Sequence, residues 1–388
     1  MKFRLSQAHQ ELRRLVREFL YRHLTPEVRE EVEGANEVGW AWWDFLRQLG
    51  DRGWIAPTLP REYGGLGASH VEHFIIAEEL GYAGAPGMEV SAAGCQCLIA
   101  GNMVAPALFR FGTPEQKKEY LPRIARGETE FAIGFTEPHA GSDLASLEMR
   151  AIPNGSAFIL RGQKAFSTAA HYAHYHWLAA RSEPSAAKHR GISLFIVDLK
   201  SPGVSVRPIW TISGLRTNQV FYNDVRVPRE NLVGEPGKGF YHIASTLDYE
   251  RMYTVSGLKR TLGMVVDYVR GKPLGPAMRH RLAEIWVRLE VARLLSYRLA
   301  WALDQGLLPS SEASMLKVLA AELAQDLAHA GLQAMGLGGQ LKALSGRAPL
   351  KGRLELLYRH SVFASIGGGT SEVQRNIVAA RGLGLPRA

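Results

Sequence analysis

The sequence predicts an α+β chain in which a β segment is set between two helical segments, on three observations. Apolar residues near the start, at Leu12, Leu15, Val16, Phe19 and Leu20, recur at the three- and four-residue spacing of an amphipathic helix. Between Phe131 and Val227 the apolar stretches become short, β-branched and aromatic, and Gly, Pro and Asn separate them. From Gly239 onward long helical patterns return.

Residues 1–122 form the first segment, where helices are also expected over Trp40–Asp51, Ser69–Gly81, Ala92–Phe111 and, running past the boundary, Pro114–Ala125. Residues 123–233 carry five expected strands, Ala157–Phe166, His174–Ala180, Ile192–Leu199, Val204–Ile209 and Val220–Val227. In residues 234–388 helices are expected over Gly239–Arg270, Met278–Gln305, Ser311–Met335 and Gly352–Ala364, with a short one after Gly369. No repeat of roughly 20–50 residues recurs, which excludes a solenoid.

With 388 residues, 46% of them apolar, and only 2 cysteines, the chain can bury a large core and is neither disordered nor a disulfide scaffold. Cys95 and Cys97 fit small packing groups, and a reducing, cytoplasmic setting is expected. The charged N-terminal stretch lacks the apolar run of an export signal. Val90–Phe109 is uncharged for a membrane span's length, yet it holds Ser91, Gln96, Asn102 and Pro106, so a buried helix is expected and no membrane partner. A net charge of +9 raises nucleic acid as a partner, but the densest group, Lys259–Arg281, has Tyr268 alone among its basic residues rather than a series of interleaved aromatics and reads as a solvated face. Glu78-Glu79 also reads as a solvated face. His171, His174 and His176 are interrupted by Tyr172 and Tyr175 and lack metal-ligand spacing, so no metal is expected.

Two stretches could hold a ligand. Phe135-Thr136-Glu137-Pro138-His139-Ala140-Gly141-Ser142-Asp143 places hydroxyls and a glycine at the entrance to the β segment, as a binding loop or a capped turn would. Gly367-Gly368-Gly369-Thr370-Ser371-Glu372-Val373-Gln374 is a glycine run opening a helix, with Ser371 and Gln374 at capping-box spacing, and reads equally as an anion site or an ordinary tight turn.

Together with Tyr63-Gly64-Gly65-Leu66-Gly67, Gln163-Lys164-Ala165-Phe166-Ser167-Thr168 and Asp224-Val225-Arg226-Val227-Pro228, these stretches follow the order found in acyl-CoA dehydrogenases. The chain resembles that family from Leu5 to about Pro386. The resemblance implies a helical N-terminal domain, a middle β-barrel domain and a C-terminal four-helix bundle, with FAD as cofactor. It further implies oxidation of an acyl-CoA to its trans-2-enoyl form in fatty acid metabolism, with electron-transfer flavoprotein as partner.

Position by position, Ile133, Phe135, Thr136, Phe166 and Thr168 match the flavin-facing stretches, and Gly141 and Ser142 the pyrophosphate contacts, Ser142 also lying toward substrate. Phe166 stands where the family usually has tryptophan, and Ala169-Ala170 where it usually has Asn-Gly. Many members place the catalytic glutamate where this chain has Gly368. A second group, resembling isovaleryl- and long-chain acyl-CoA dehydrogenases, places it before an arginine on the first C-terminal helix, matched here by Glu250-Arg251. Glu250 is thus the expected base, the alternative being a structural ion pair with Arg251, and Gly368 is left an N–H that could polarise the thioester carbonyl.

Arg251 and Arg270 match possible phosphate contacts, and Leu98 and Met103 the acyl pocket. Between Tyr268 and Glu284 the chain is shorter than the family pattern, and the arginine motif that clamps a neighbour's FAD is missing. Gln333 and Thr370 remain as cross-subunit cofactor contacts, and because Ser311–Met335 is apolar on more than one face, a homodimer or homotetramer is expected. The shortened clamp also resembles a subgroup that pairs two unlike subunits. A flavin-bearing DNA-associated relative is the other alternative, set aside because it usually carries a long C-terminal extension.

Overall fold

The structure is a computed structural model that describes residues 4–34, 38–85, 98–184, 186–250, 255–307 and 309–386, apart from the side chains of 32–34, 245 and 248–250. Its helices are α1 (Gln7–His23), α2 (Pro26–Gly34), α3 (Trp40–Asp51), α4 (His70–Ala83), α5 (Ala105–Phe111), α6 (Pro114–Ala125), α7 (Gly239–Glu250), α8 (Ser256–Val269), α9 (Pro276–Asp304), α10 (Ser310–Met335), α11 (Arg353–Ala364) and α12 (Ser371–Ile377). Its strands are β1 (Phe131–Gly134), β2 (Arg150–Asn154), β3 (Ala157–Lys164), β4 (Tyr175–Arg181), β5 (Ile192–Asp198), β6 (Val204–Trp210), β7 (Arg216–Pro228) and β8 (Leu232–Val233). The helix–sheet–helix order holds as the sequence predicts. The expected continuous helix over Gly239–Arg270 is instead two, α7 and α8, with residues 251–254 outside the described set. In the expected helix over Ala92–Phe111, residues 92–97 lie outside that set, as do Cys95 and Cys97, and the rest includes a π-helical turn at Ala100–Val104.

The chain divides into two compact units, one of Met1–Ala35, Ser69–Cys97 and Arg251–Ala388, the other of Asn36–Ala68 and Leu98–Glu250. In the first, Leu258 and Leu262 of α8, Ile285 and Leu289 of α9, Leu323 and Leu327 of α10 and Leu354 of α11 share one core. Helix α10 is central. Its alanines at 320, 321, 324 and 328 are buried alongside Leu316, Leu323 and Leu327, so small and large residues cover its different sides. The apolar faces that pointed to a second chain are therefore covered by the helix's own unit. On α10 the large apolar residue left exposed is Met315, and further exposed apolar residues lie on α9, at Trp286, Val287 and Val291, and on α11, at Val362 and Phe363.

Helix α4 starts on a capping box, Glu72 N–H donating to Ser69 Oγ at 3.1 Å and Ser69 N–H to Glu72 Oε2 at 2.7 Å. Everything from His73 to Gly81 on α4 is buried, including Glu78 and Glu79, which corrects their reading as a solvated face. Arginines from other helices account for this. Arg13 donates to Glu78 at 2.7 Å, Tyr297 O–H donates to it at 2.9 Å, Arg293 pairs with it as well, and Arg17 holds Glu79 at 2.6 Å. A periodicity reading cannot see these partners because they come from α1 and α9.

The second unit is built on one sheet with strand order β6-β7-β3-β2-β4-β5-β8, and β1 lies parallel to β4. Strands β4 and β5 are buried nearly throughout, whereas β6 is an exposed edge. Strands β1, β2 and β8 and helix α2 were not among the sequence expectations, being short or charged. Just before β1, buried Glu130 accepts hydrogen bonds from Ala100 N–H at 2.6 Å and Phe131 N–H at 2.9 Å. Burial pushes its carboxyl up to about 8, against the pull of those two donors.

Two predictions follow from these buried carboxylates. Glu78→Leu removes the acceptor that Arg13, Arg293 and Tyr297 share, leaving Arg13 only Glu79 and Tyr297, and is expected to lower stability by about 3 kcal/mol in chemical denaturation. For Glu130 the folded pKa of about 8 exceeds the ordinary 4.5, so the folded state holds the proton more tightly. The stability this supplies is complete below about pH 4.5 and lost as pH rises through about 8. Glu130→Gln is therefore expected to flatten the fall in unfolding midpoint across that window, and an unchanged slope would remove Glu130 as its source.

Candidate active site

Two of the expected flavin-facing stretches meet in the sheet unit. Ile133 lies on β1, in register with Trp177 of β4, and Phe135 and Thr136 follow directly. Phe166 and Thr168 follow the end of β3, and Ala165 N–H donates to Thr136 O at 2.9 Å, tying the second stretch to the first. Lys164 reinforces the junction. Its fully buried Nζ donates to Phe135 O at 3.1 Å and to Glu137 Oε1 at 2.7 Å, and Glu137 also accepts from the N–H groups of Glu148 (2.7 Å) and Met149 (3.0 Å). Burial pulls the Lys164 ammonium down to about 8, with Glu137 acting in the opposite sense.

The Phe166 backbone is left-handed, at φ 58°, and the residue is 59% exposed. A large aromatic so uncovered, beside a strained backbone, is the surface a planar ligand would cover. Ala169 is also left-handed, at φ 70°, at the position the family usually gives to asparagine, a residue better suited to that conformation. Thr168 Oγ1 lies 3.3 Å from Thr217 Oγ1, so two hydroxyls stand behind the aromatic ring's segment. Ser167, between Phe166 and Thr168, is buried; it donates its N–H to Asn218 O at 2.9 Å and its carbonyl accepts from Asn218 Nδ2 at 3.0 Å.

Gly141 and Ser142 are exposed in the loop after Ala140, and no neighbouring atom lies within 4 Å of where a Cβ on Gly141 would stand. The adjacent Asp143 is tied to Ser146 at 2.6 Å and Lys188 at 2.5 Å, which shape the loop. Leu98 and Met103 are both buried along the stretch that contains the π-helical turn. Of the three neighbouring histidines, His176 is wholly buried against Tyr222 and Ser167, and His174 Nδ1 accepts from Glu130 N–H at 3.3 Å. Among the described residues no three His, Cys, Asp or Glu side chains converge as a metal site, and no helix is long and apolar enough to cross a membrane.

Glu250 closes α7; its side chain and all of Arg251 lie outside the described residues. In the helical unit, Thr370 caps α12, its Oγ1 accepting from Val373 N–H at 3.2 Å. This shifts the cap one residue back from the expected Ser371, because Thr370 keeps an extended ψ while Ser371 is already helical. Gly368 and Gly369 are left-handed, at φ 65° and 92°, and Gln374 Nε2 donates to Gly368 O at 3.0 Å. A Cβ on Gly369 would fall 2.5 Å from that same Nε2, so the turn needs glycine there. Gln333 is exposed near the end of α10 and accepts from Arg281 at 2.7 Å, while Arg270 pairs with Asp267 at 2.9 Å. The Asn218, Tyr222 and Glu130 contributions were missed in the sequence, where each stands beside other polar residues and nothing local singles it out.

In the sheet unit the donor set fits a flavin: an exposed aromatic face, a hydroxyl pair and the backbone of Ile133–Thr136 at a strand end. Models of the acyl-CoA dehydrogenase N-terminal, middle and C-terminal domains match residues 6–128, 132–225 and 237–383. The acyl-CoA dehydrogenase FadE26 of Mycobacterium tuberculosis is 36% identical over all of both chains. The mitochondrial isovaleryl-CoA dehydrogenase of Pongo abelii is 32% identical over 96% of this chain and 88% of its own. The solved Tcur3481-Tcur3483 steroid ACAD superposes with a TM-score of 0.90 at 35% identity, covering all of both chains. The chain belongs to the acyl-CoA dehydrogenase family and is a FAD-dependent oxidoreductase of that fold.

Proposed function

We propose that the chain oxidises an acyl-CoA thioester to the trans-2-enoyl-CoA and passes the two electrons to electron-transfer flavoprotein. What carries this reading is the joining of the Ile133–Thr136 and Phe166–Thr168 stretches into one edge of the sheet unit, with the uncovered Phe166 ring upon it. Bound FAD supplies the acceptor for the β-hydride. Ile133, Phe135, Thr136, Phe166 and Thr168 hold its ring system, and Gly141 and Ser142 its pyrophosphate. Gln333 and Thr370 reach a neighbour's cofactor.

Glu250 takes the α-proton onto its carboxylate, a role that calls for burial and loss of water to raise its pKa. The Gly368 N–H polarises the thioester carbonyl as enolate charge develops. Arg251 and Ser142 face the CoA portion, and Leu98 and Met103 line the acyl chain's path. The work is assigned to the cytoplasm and to acyl-CoA breakdown of the fatty-acid type.

The exposed apolar faces of α9 and α11 support association, read here as a homodimer or homotetramer. A mixed assembly is the second reading, supported by the two-chain name of the solved steroid ACAD. That name also places a bulky, ring-bearing acyl group beside branched short chains among the substrates to test.

The protein is expected to purify yellow, and its flavin to bleach in anaerobic titration with at least one acyl-CoA from a series running from branched short chains to steroid side chains. A chain that takes up no FAD, with or without a second related chain, would sink the reading. Glu250→Gln should abolish α-proton exchange and flavin reduction while acyl-CoA binding changes little; turnover surviving within about tenfold would put the base elsewhere. Light scattering with flavin quantitation on the chain alone separates self-assembly, which should give a flavin-loaded oligomer, from an obligate unlike partner.

A further inference from the structure

Beneath the flavin-facing edge sits a polar cluster that neither the proton transfer nor the hydride transfer uses. His176, on β4, is fully buried. Its Nδ1 lies 2.5 Å from Tyr222 Oη, its Nε2 lies 3.1 Å from Ser167 Oγ, and its ring also hydrogen-bonds the Ile133 backbone. Gly134 leaves room for the imidazole: a Cβ there would stand 2.5 Å from Nε2. The His176 and Tyr222 rings lie nearly parallel, 12° apart.

We propose that His176 is a positioning residue for the flavin, a neutral imidazole that braces the Ile133–Thr136 and Phe166–Thr168 stretches against each other from below. With Nδ1 accepting the Tyr222 proton, Nε2–H donates to Ser167 Oγ; in the other tautomer Nδ1–H donates to Tyr222 Oη and the Ser167 hydroxyl to Nε2, and either one ties both hydroxyls to the ring. Ser167 is the residue between Phe166 and Thr168, and two left-handed non-glycine residues, Phe166 and Ala169, bracket it. Such a backbone persists only when its surroundings over-determine it. Here Asn218 binds both the N–H and the carbonyl of Ser167, and His176 binds its hydroxyl, so every polar group of that residue is held. Burial pulls the imidazolium down to about 3, the Ile133 bond opposing and the Lys164 charge assisting, so the brace keeps one charge state at ordinary pH.

This role rests on the flavin reading, and the experiment separates the two. Ser167→Ala removes one oxygen, Tyr222→Phe another, and His176→Phe both ring nitrogens at similar volume. Amide hydrogen exchange on the full chain as purified reads the brace directly, because the Ala165, Ser167 and Thr168 N–H groups are all bonded within the segment or to its clamps. Exchange over 165–170 is expected to rise at least about fivefold in Ser167→Ala and His176→Phe, with strand β4 unchanged. In the flavin-loaded protein the same variants should weaken FAD binding about tenfold and alter the visible circular dichroism of the bound flavin. His176→Gln, whose amide can still reach Ser167, should restore most of both signals.

Exchange and flavin signals within about twofold of the parent in folded variants would overturn the proposal. So would faster exchange with an unaltered flavin, since that reduces His176 to a core strut. Should His176→Phe not fold, Ser167→Ala decides alone. A parent chain that takes no FAD would count against the flavin reading, and exchange would then decide whether the brace exists.

Discussion

The sheet unit depends on one interaction, the buried pair of Lys164 and Glu137. An ammonium with no solvent contact is costly unless its protons and its charge are both answered, and here Phe135 O and the Glu137 carboxylate answer them. The carboxylate is itself over-satisfied by two backbone N–H groups from Glu148 and Met149, at the approach to β2. Three separate pieces of chain thus converge on one charge: the turn after β1, the end of β3 and the lead-in to β2. A hydrophobic replacement could fill the space, but it could not fix which carbonyl and which N–H groups meet there.

What that fixed point makes possible is strain close by. Phe166 and Ala169 both hold backbone conformations that side chains disfavour, by roughly 1–2 kcal/mol each. They sit two and five residues after Lys164, where hydrogen bonds from Thr136, Asn218, His176 and Thr217 restrain the chain on several sides. The outcome is an aromatic ring held in the open. That uncovered aromatic face supports the proposed contact with the flavin.

The order of elements was legible in the sequence because it rests on local periodicity. Helix α6 runs over Pro114–Ala125 as read, and strand β5 differs from its expected span by one residue, since a run such as Ile-Ser-Leu-Phe-Ile-Val has few alternatives. Short pairing strands such as β8, two residues long, carry no period to detect. The site was legible where backbone chemistry is local, as in the Gly-Thr turn into α12, and illegible where it depends on a distant partner. Glu78 and Glu79 looked solvated because Arg13, Arg17 and Arg293 lie 62 or more residues away in sequence. Nothing local singled out Asn218 or Tyr222 for the same reason, their partners Ser167 and His176 lying 51 and 46 residues away.

The glycine turn before α12 bears on where a proton-abstracting carboxylate can stand. Many family members resemble this chain here but carry glutamate at the position of Gly368. In this chain that position is left-handed, at φ 65°, and its carbonyl is held by Gln374, whose side chain is wholly buried. A glutamate at 368 would have to adopt the same left-handed backbone, at roughly 1–2 kcal/mol, or break the Gln374 bond that sets the turn. The turn is thus built for glycine at two successive positions, the second because Gln374 Nε2 fills the space a side chain would need. A loop so arranged offers backbone polar groups and no acid. That supports assigning the carboxylate to the end of α7, where Glu250 stands in helical backbone that any residue can adopt.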